Sequence, residues 1–270
     1  MDDTLFDFGK QLAEQAGQMA LSYYGNVSGS PKGRFDLVSE ADTTIESFLI
    51  NEIKQRYPHH QIIAEESVQP GETTLGETCW VIDPLDGTVN FLLELPLFSV
   101  SIGLLVRGEP AAAWISDPLR SEMFSAERGI GAFLNDEPIR QTTEIAPAAP
   151  ILISSDFIAW SLAQEEGGPL KTLSSTYGKV RLLGSQALHL CYVAAGRAAA
   201  AVNIECRLWD NVAGALILTE LGGDFSTFNG QPWFPIADGS PVVAGAQMPC
   251  IATHRSITGT VVGMFKPFPL

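Results

Sequence analysis

Positive charge is scarce in this chain. Sixteen Lys and Arg stand against 31 Asp and Glu, a formal net charge of −15. Such a surface repels phosphate backbones, so direct nucleic-acid binding is not expected. Long apolar runs are also missing. Val100 to Val106 is a typical stretch, and Ser101 and Gly103 interrupt it. A membrane span needs about 20 apolar residues, so no membrane association is expected. The chain opens Met1-Asp2-Asp3-Thr4, with neither a basic region nor a cleavable apolar segment, and a cytoplasmic location is the expectation. Cysteine is sparse, at 79, 191, 206 and 250, with no Cys-x-x-Cys pair and no histidine at zinc-ligand spacing. That predicts isolated buried thiols in a reducing compartment.

What the chain has is core. Its 270 residues are 46% apolar and 17% charged, a globular composition that excludes disorder. At roughly 150 residues per domain, this is one large domain or two modest ones. Leu5, Phe8, Leu12, Ala16, Met19 and Tyr23 recur at helical steps, and Gly25 follows as a stop. Residues 26–33 read as a loop. A second helix is predicted over 44–57, with Thr43 and Glu46 as a capping box and Pro58 as terminator. The period then changes. Short strands are predicted at 61–64, 79–82, 98–106, 111–115 and 122–126, with a hairpin over 129–139 turning at Asn135-Asp136. Thr142 to Pro150 is the best boundary segment. It divides an N-terminal α+β subdomain, 1–141, from a C-terminal α/β subdomain, 142–270. Beyond it, strands are predicted at 151–154, 180–183, 199–204 and 241–243. Helices are predicted at 186–195 and 211–221, the latter stopped by Gly222-Gly223. The pattern is layered α/β, with more antiparallel pairing in the first half.

The strongest segment is Trp80-Val81-Ile82-Asp83-Pro84-Leu85-Asp86-Gly87-Thr88-Val89-Asn90-Phe91. A buried strand here ends by delivering two carboxylates into a turn. Two such groups repel unless a cation lies between them, and a divalent ion with oxygen ligands answers that need. The spacing is neither the Asp-x-Asp of haloacid-dehalogenase phosphatases nor the alternating acids of an EF-hand. Further acids sit at strand ends and helix starts: Glu65-Glu66-Ser67, Asp210 after Trp209, and Asp36 and Asp42 before the second helix. Asp42 and Asp210 also read as plain N-caps.

These motifs resemble those of the inositol monophosphatase family of magnesium-dependent, lithium-sensitive phosphatases. The likeness rests on Asp36-Leu37-Val38-Ser39-x-x-Asp42, Ala64-Glu65-Glu66-Ser67, the Trp80–Phe91 block and Trp209-Asp210-x-x-Ala213-Gly214, continuing through Glu220-Leu221-Gly222-Gly223. It implies an alternating α-β-α-β-α sandwich of the sugar-phosphatase type and hydrolysis of a small phosphorylated metabolite. Glu65, Asp83, Asp86, Asp210 and the carbonyl of Leu85 are then expected to hold two to three Mg2+ ions. Thr88, with Glu65 and Asp42, is expected to orient the attacking water. The substrate is expected to touch Asp86, Gly87, Thr88, Asp210, Gly184, Ser185, Gln186 and Asn203. Gly184-Ser185-Gln186-Ala187 reads equally as a helix start capped by Ser185. Asn203 stands where inositol-specific relatives often carry glutamate. Lys32 or Arg34 is a candidate to screen the substrate phosphate, and the loop 68–78, with Pro70, Gly71 and Gly76, is expected to be mobile over the metals.

The implied activity is phosphomonoester hydrolysis, with inositol 1-phosphate as first substrate. Histidinol phosphate, a phosphoadenosine nucleotide and fructose 1,6-bisphosphate are the alternatives. The reading from another class is a non-catalytic regulator that binds transcription machinery. A homodimer is expected from the resemblance.

Overall fold

The computed structural model describes residues 3–31, 37–68, 71–140, 143–237 and 241–268. Lys32, Arg34, Asp36, Pro70 and Thr142, and with Thr142 the expected 141/142 boundary, lie outside the described residues.

The chain begins with α1 (Asp3–Tyr23), followed by β1 (Gly29–Pro31), β2 (Leu37–Ser39) and α2 (Glu40–Arg56). Both helices lay one apolar stripe on the first sheet. Leu12, Ala16 and Ala20 from α1, with Ile45, Leu49 and Ile53 from α2, pack around Trp80, Ile102 and Trp114. Their three- and four-residue spacing places them on one helix face.

The next elements are β3 (Gln61–Ala64), β4 (Gly71–Thr74), β5 (Thr78–Asp86), α3 (Thr88–Leu92), β6 (Ser99–Val106), β7 (Glu109–Asp117), β8 (Glu122–Glu127), β9 (Gly131–Leu134) and β10 (Glu137–Pro138). They form a seven-stranded sheet in the order β10-β9-β8-β7-β6-β5-β3, from which β4 is excluded. Every pair in it is antiparallel except β3 with β5. Asn135 and Asp136 both take positive φ, 52° and 67°, as a tight hairpin turn requires.

The second half contributes β11 (Ile151–Ile153), α4 (Ser155–Leu162), α5 (Gly168–Tyr177), β12 (Val180–Arg181), α6 (Gln186–Ala194), β13 (Ala200–Asn203), α7 (Leu208–Glu220), β14 (Asp224–Ser226), β15 (Pro241–Ala244), β16 (Cys250–Thr253) and α8 (Thr258–Phe265). Five of these strands make a mixed sheet, β12-β11-β13-β16-β14. Helices α6 and α7 lie between the two sheets. Ala187, Ala213, Leu216 and Ile217 face the first sheet, and Leu190, Val193, Ala215 and Leu218 face the second. A helix apolar on both faces belongs in such an interior. On the outer side, Phe157, Leu173, Val261 and Phe265 of α4, α5 and α8 cover the second sheet. The result is the expected α-β-α-β-α stack. Among the described residues no helix is long and apolar enough to cross a membrane.

The structure corrects several local expectations. α2 starts at Glu40 rather than 44, because Ser39 caps it and Asp42, not Glu46, closes the capping box. The glutamate at 46 instead accepts the Glu66 backbone N–H at 2.7 Å. The loop 26–33 contains β1, paired antiparallel with β2. The loop 68–78 contains β4, which pairs with β15 from the far end of the chain. α7 starts at Leu208, so Asp210 lies in its first turn and the cap is Arg207. Helices α4, α5 and α8 and strands β14 and β16 were not anticipated from the pattern.

Candidate active site

The site is assembled at the end of β5. In a regular strand, residues three apart point to opposite faces. Here Asp83 pairs with Ser101 and Asp86 with Ser99, so three residues of β5 span two of β6, a bulge. The extra residue brings both carboxylates to one side. Asp83 Oδ1 accepts the Leu85 N–H at 3.0 Å, which tightens the turn. Next comes Gly87 at φ 97°, where a side chain would put Cβ 2.9 Å from the Leu97 carbonyl and 3.1 Å from that of Gly184. Only glycine fits this left-handed, crowded position. Asn90, from the same block, donates to the carbonyls of Leu97 and Leu183, both at 2.7 Å, and so ties this turn to the Gly184–Gln186 segment.

The parallel register of β3 and β5 sets Ala64 opposite Ile82. That places Glu65 beside Asp83, and the Glu65 N–H donates to the Ile82 carbonyl at 3.2 Å. Helix α7 supplies Asp210, whose Oδ2 accepts the Arg207 N–H at 2.5 Å. One carboxylate oxygen from each of Asp83, Asp86 and Asp210 lies within 4.8 Å of the others. Glu65 stands outside that trio, but its charge acts on both Asp83 and Asp210.

The electrostatics follow from this crowding. Burial, then the charges of Glu65, Asp86 and Asp210, push the Asp83 carboxyl well above the ordinary range. Asp210 is raised likewise by burial and by Asp86 and Glu65, against hydrogen bonds from Arg207 and with Asp83. Asp86 is raised chiefly by burial, and Ser185, Ala187, Gln186 and Ser99 oppose the shift by donating to it. None of the three acids makes an ion pair with a described Lys or Arg. A set of converging carboxylate oxygens with no counter-ion among the described residues fits a hard divalent cation.

Asp42 reaches the same place from α2. Its Oδ2 accepts from the Ser39 N–H and hydroxyl, and its Oδ1 lies 2.9 Å from the Thr88 hydroxyl. That hydroxyl is also 3.1 Å from the Leu85 carbonyl. Asp42 is thus both part of a helix cap and the partner of Thr88.

On the far side lies a cavity of about 300 Å³, lined by Asp86, Gly184, Ser185, Gln186, Asn203 and Asp210 among others. Every residue expected on the substrate side except Gly87 and Thr88 is on this lining. Ser185 combines its two readings: it caps α6 through the Leu188 N–H and donates to Asp86 Oδ2. Asp86 also accepts the N–H groups of Gln186 and Ala187, at 3.1 and 2.7 Å. The Gln186 side chain, by contrast, turns into the interior. Its Nε2 donates to Asn211 and to the Cys250 sulfur, and its Oε1 accepts from Asn203. Asn203 Oδ1 is buried without a partner.

Some neighbours went unnoticed in the sequence. Ser99 and Ser101 are fully buried hydroxyls beside the acids, visible in principle as polar breaks in an apolar strand. Asp156 also lines the cavity, and its carboxylate holds the N–H groups of Ile204 and Glu205.

His189 is a third. It lines the cavity with Nε2 accepting the Leu183 N–H at 3.3 Å and Nδ1 unpartnered. Burial lowers its pKa to about 4. The unfolded chain therefore takes up this proton first, and stability is complete above about 6.5 and lost as pH falls toward about 4. In saturating magnesium, urea unfolding at pH 7 and 5 is expected to show a loss of about 2 kcal/mol from this residue. His189→Leu is expected to lose that part of the pH dependence. An identical slope in both proteins would assign it to other groups.

Taken together, fold and site define a layered α/β protein with acidic side chains from several distant segments converging at strand ends. The inositol monophosphatase family model matches residues 1–259. Nus factor SuhB of Escherichia coli K12 is 38% identical over 230 residues, covering 84% of this chain and 86% of that one. Among solved structures, the Thermotoga maritima IMPase superposes with a TM-score of 0.82 at 28% identity, covering 99% of this chain and 98% of that one. The inositol monophosphatase from Anabaena gives 0.79 at 30%, covering 99% and 97%. The chain belongs to the inositol monophosphatase family.

Proposed function

We propose that this chain is a magnesium-dependent phosphomonoesterase acting on a small polyol or sugar-like monophosphate, with inositol 1-phosphate as the first candidate. The observation that carries the reading is the meeting of Asp83, Asp86 and Asp210, with no ion pair to a Lys or Arg among the described residues. Two to three Mg2+ ions would be held by these acids, Glu65 and the Leu85 carbonyl. Such ions supply Lewis acidity and lower the pKa of a coordinated water. The chain's own residues do the positioning that phosphoryl transfer chiefly requires. Thr88, held by Asp42 and Leu85, would accept the water proton's hydrogen bond and aim the oxygen, with Glu65 beside it. The N–H groups of Gly87 and Thr88, half-buried at the start of α3, would receive the phosphoryl oxygens. Gly184, Ser185, Gln186 and Asn203 would line the alcohol side. Asn203 offers hydrogen bonding without charge, unlike a glutamate there.

In this reading 1–141 and 142–270 are subdomains of one catalytic unit, the second bringing Asp210 to acids held by the first. Exposed Val89, Leu93, Leu95 and Leu182, gathered around the Asn90 clamp, support a homodimer contact. The test is released phosphate from a panel of inositol 1-phosphate, histidinol phosphate, a phosphoadenosine nucleotide and fructose 1,6-bisphosphate, with magnesium and with EDTA. Inositol 1-phosphate is expected to be turned over fastest, with EDTA abolishing release and lithium inhibiting it. Preference for another panel member by about tenfold, a difference of ~1.4 kcal/mol, would reassign the substrate.

A second reading is favoured by the curated relatives, which carry the name Nus factor. It gives this chain a role in binding transcription machinery. The two readings part on Asp86→Asn, which is expected to stop hydrolysis and leave such binding intact.

A further inference from the structure

Two of the four cysteines are not isolated. Cys206, in the turn between β13 and α7, and Cys250, at the start of β16, place their sulfur atoms 3.6 Å apart. Both are buried, at 2% and 1% exposure. The pairing of β13 with β16 sets Asn203 opposite Cys250, and the chain then turns so that Cys206 comes back over it. The Cys206 thiol donates to the Met248 carbonyl at 3.0 Å. Gln186 Nε2 donates to the Cys250 sulfur at 3.3 Å. Cys206 also lines the cavity that holds Asp86 and Asp210, which gives a small oxidant a route to this residue. Cys79 and Cys191 have no such neighbour.

We propose that Cys206 and Cys250 form a reversible disulfide under peroxide, and that this bond disarms the adjacent site. The Cys206 sulfur attacks one peroxide oxygen, the O–O bond breaks, and the departing hydroxide leaves as water with the thiol proton. The Cys206 sulfenic acid is then attacked at sulfur by Cys250. The S–S bond forms, the S–O bond breaks, and the second hydroxide takes the Cys250 proton. Two thiols and one hydrogen peroxide give one disulfide and two waters. Burial, then the hydrogen-bond contact with Cys250 and the nearby Asp210 carboxylate, hold the Cys206 thiol protonated, so the reaction is slow in the resting protein.

The bond needs sulfurs about 2.0 Å apart, against 3.6 Å in the reduced protein, so the two side chains must move toward each other. That movement disturbs three hydrogen bonds at the sulfurs, to the Met248 carbonyl, from Gln186 Nε2 and to Asn211 Oδ1. The turn carries Arg207, whose N–H holds Asp210. On the other side, Gln186 loses its contact with Cys250, and the Gln186 N–H holds Asp86. Oxidation therefore shifts the supports of two site carboxylates at once.

The cross-link goes beyond the phosphatase reading; only its catalytic effect rests on that reading. The experiment exposes the reduced, folded full chain to hydrogen peroxide, then alkylates free thiols and maps peptides by mass. Expected is a linked Cys206–Cys250 peptide, lighter by two hydrogens, with Cys79 and Cys191 still alkylated and dithiothreitol restoring all four thiols. In step, magnesium-dependent phosphate release is expected to fall about tenfold or more, since a displacement of roughly 1 Å at a site can cost ~100-fold. The rise of melting temperature with magnesium is expected to shrink as well. Full alkylation of Cys206 and Cys250 after peroxide overturns the proposal, as does a linked protein with unchanged magnesium response. Absence of phosphate release from the reduced protein counts against the phosphatase reading alone, because the peptide map and the melting response still read the cross-link.

Discussion

Replacing Asp83 with asparagine is expected to abolish magnesium-dependent phosphate release while making the metal-free protein more stable. The two effects have one cause. Asp83 is buried against Asp86 and Asp210, with Glu65 adding its charge. Its folded pKa is raised, so its favourable contribution exists below the unfolded value and is lost as pH rises through the folded value. At neutral pH without metal, the native state carries that penalty. Asparagine removes the charge at nearly the same volume, and its melting temperature in EDTA is expected to exceed that of the parent. Each kcal/mol relieved is worth roughly 2–4 °C in a chain of this size. With magnesium the order reverses, because the parent gains from binding and the variant does not. Phosphate release is expected to fall about a thousandfold, equivalent to roughly 4 kcal/mol of lost charge stabilisation. Calorimetry in EDTA and in magnesium, beside a phosphate assay, reads both. A variant less stable than the parent in EDTA would mean that Asp83 is a structural hydrogen-bond acceptor first.

Gly87→Ala is expected to injure activity through geometry rather than charge. The position takes φ 97°, and an added Cβ meets the Leu97 and Gly184 carbonyls at 2.9 and 3.1 Å. The backbone must move, and the movement reaches Asp86 on one side and Thr88 on the other. A strained position of this kind costs on the order of 1–3 kcal/mol, which lowers the melting temperature by several degrees. Phosphate release is expected to drop about 100-fold, as displacements near 1 Å can do. The melting temperature should still rise with magnesium, because Asp83 and Asp210 keep their places. Loss of that response as well would show that the turn, and not only the phosphate-facing side of it, builds the cation site.

How far the site is legible in the sequence can be judged residue by residue. Asp83 and Asp86 stand out because a wholly apolar strand runs into them, and β5 is buried through to Asp86. The bulge that aligns them is not visible locally, since it depends on pairing with Ser99 and Ser101 of β6. Asp210 was legible as an acid at a helix start, but its role as an N-cap was off by three residues. The apolar run of α7 begins with Leu208 and Trp209, which the first sheet buries beside Ile63, Val81 and Leu105. At α2, Thr43 with Glu46 has the same spacing as Ser39 with Asp42. The second pair wins because Asp42 also gains the Thr88 hydroxyl, a contact 46 residues away. The outer helices escaped for a different reason. α8 reads Thr-Gly-Thr-Val-Val-Gly-Met-Phe, with poor helix formers that only packing against the second sheet holds in place. The four cysteines are buried free thiols, as expected, but two of them are not isolated. Cys206 and Cys250 are 44 positions apart, and only the return of β16 beside β13 joins them.

The most direct measurement of the central claim is the melting temperature of the reduced protein as magnesium is titrated against EDTA. Binding to the native state alone stabilises by about 2.7 kcal/mol at a hundred times the dissociation constant, so the melting temperature should climb with the logarithm of magnesium concentration. In Asp83→Asn the same titration should be flat. A parent protein that melts at one temperature in EDTA and in millimolar magnesium would contradict the account.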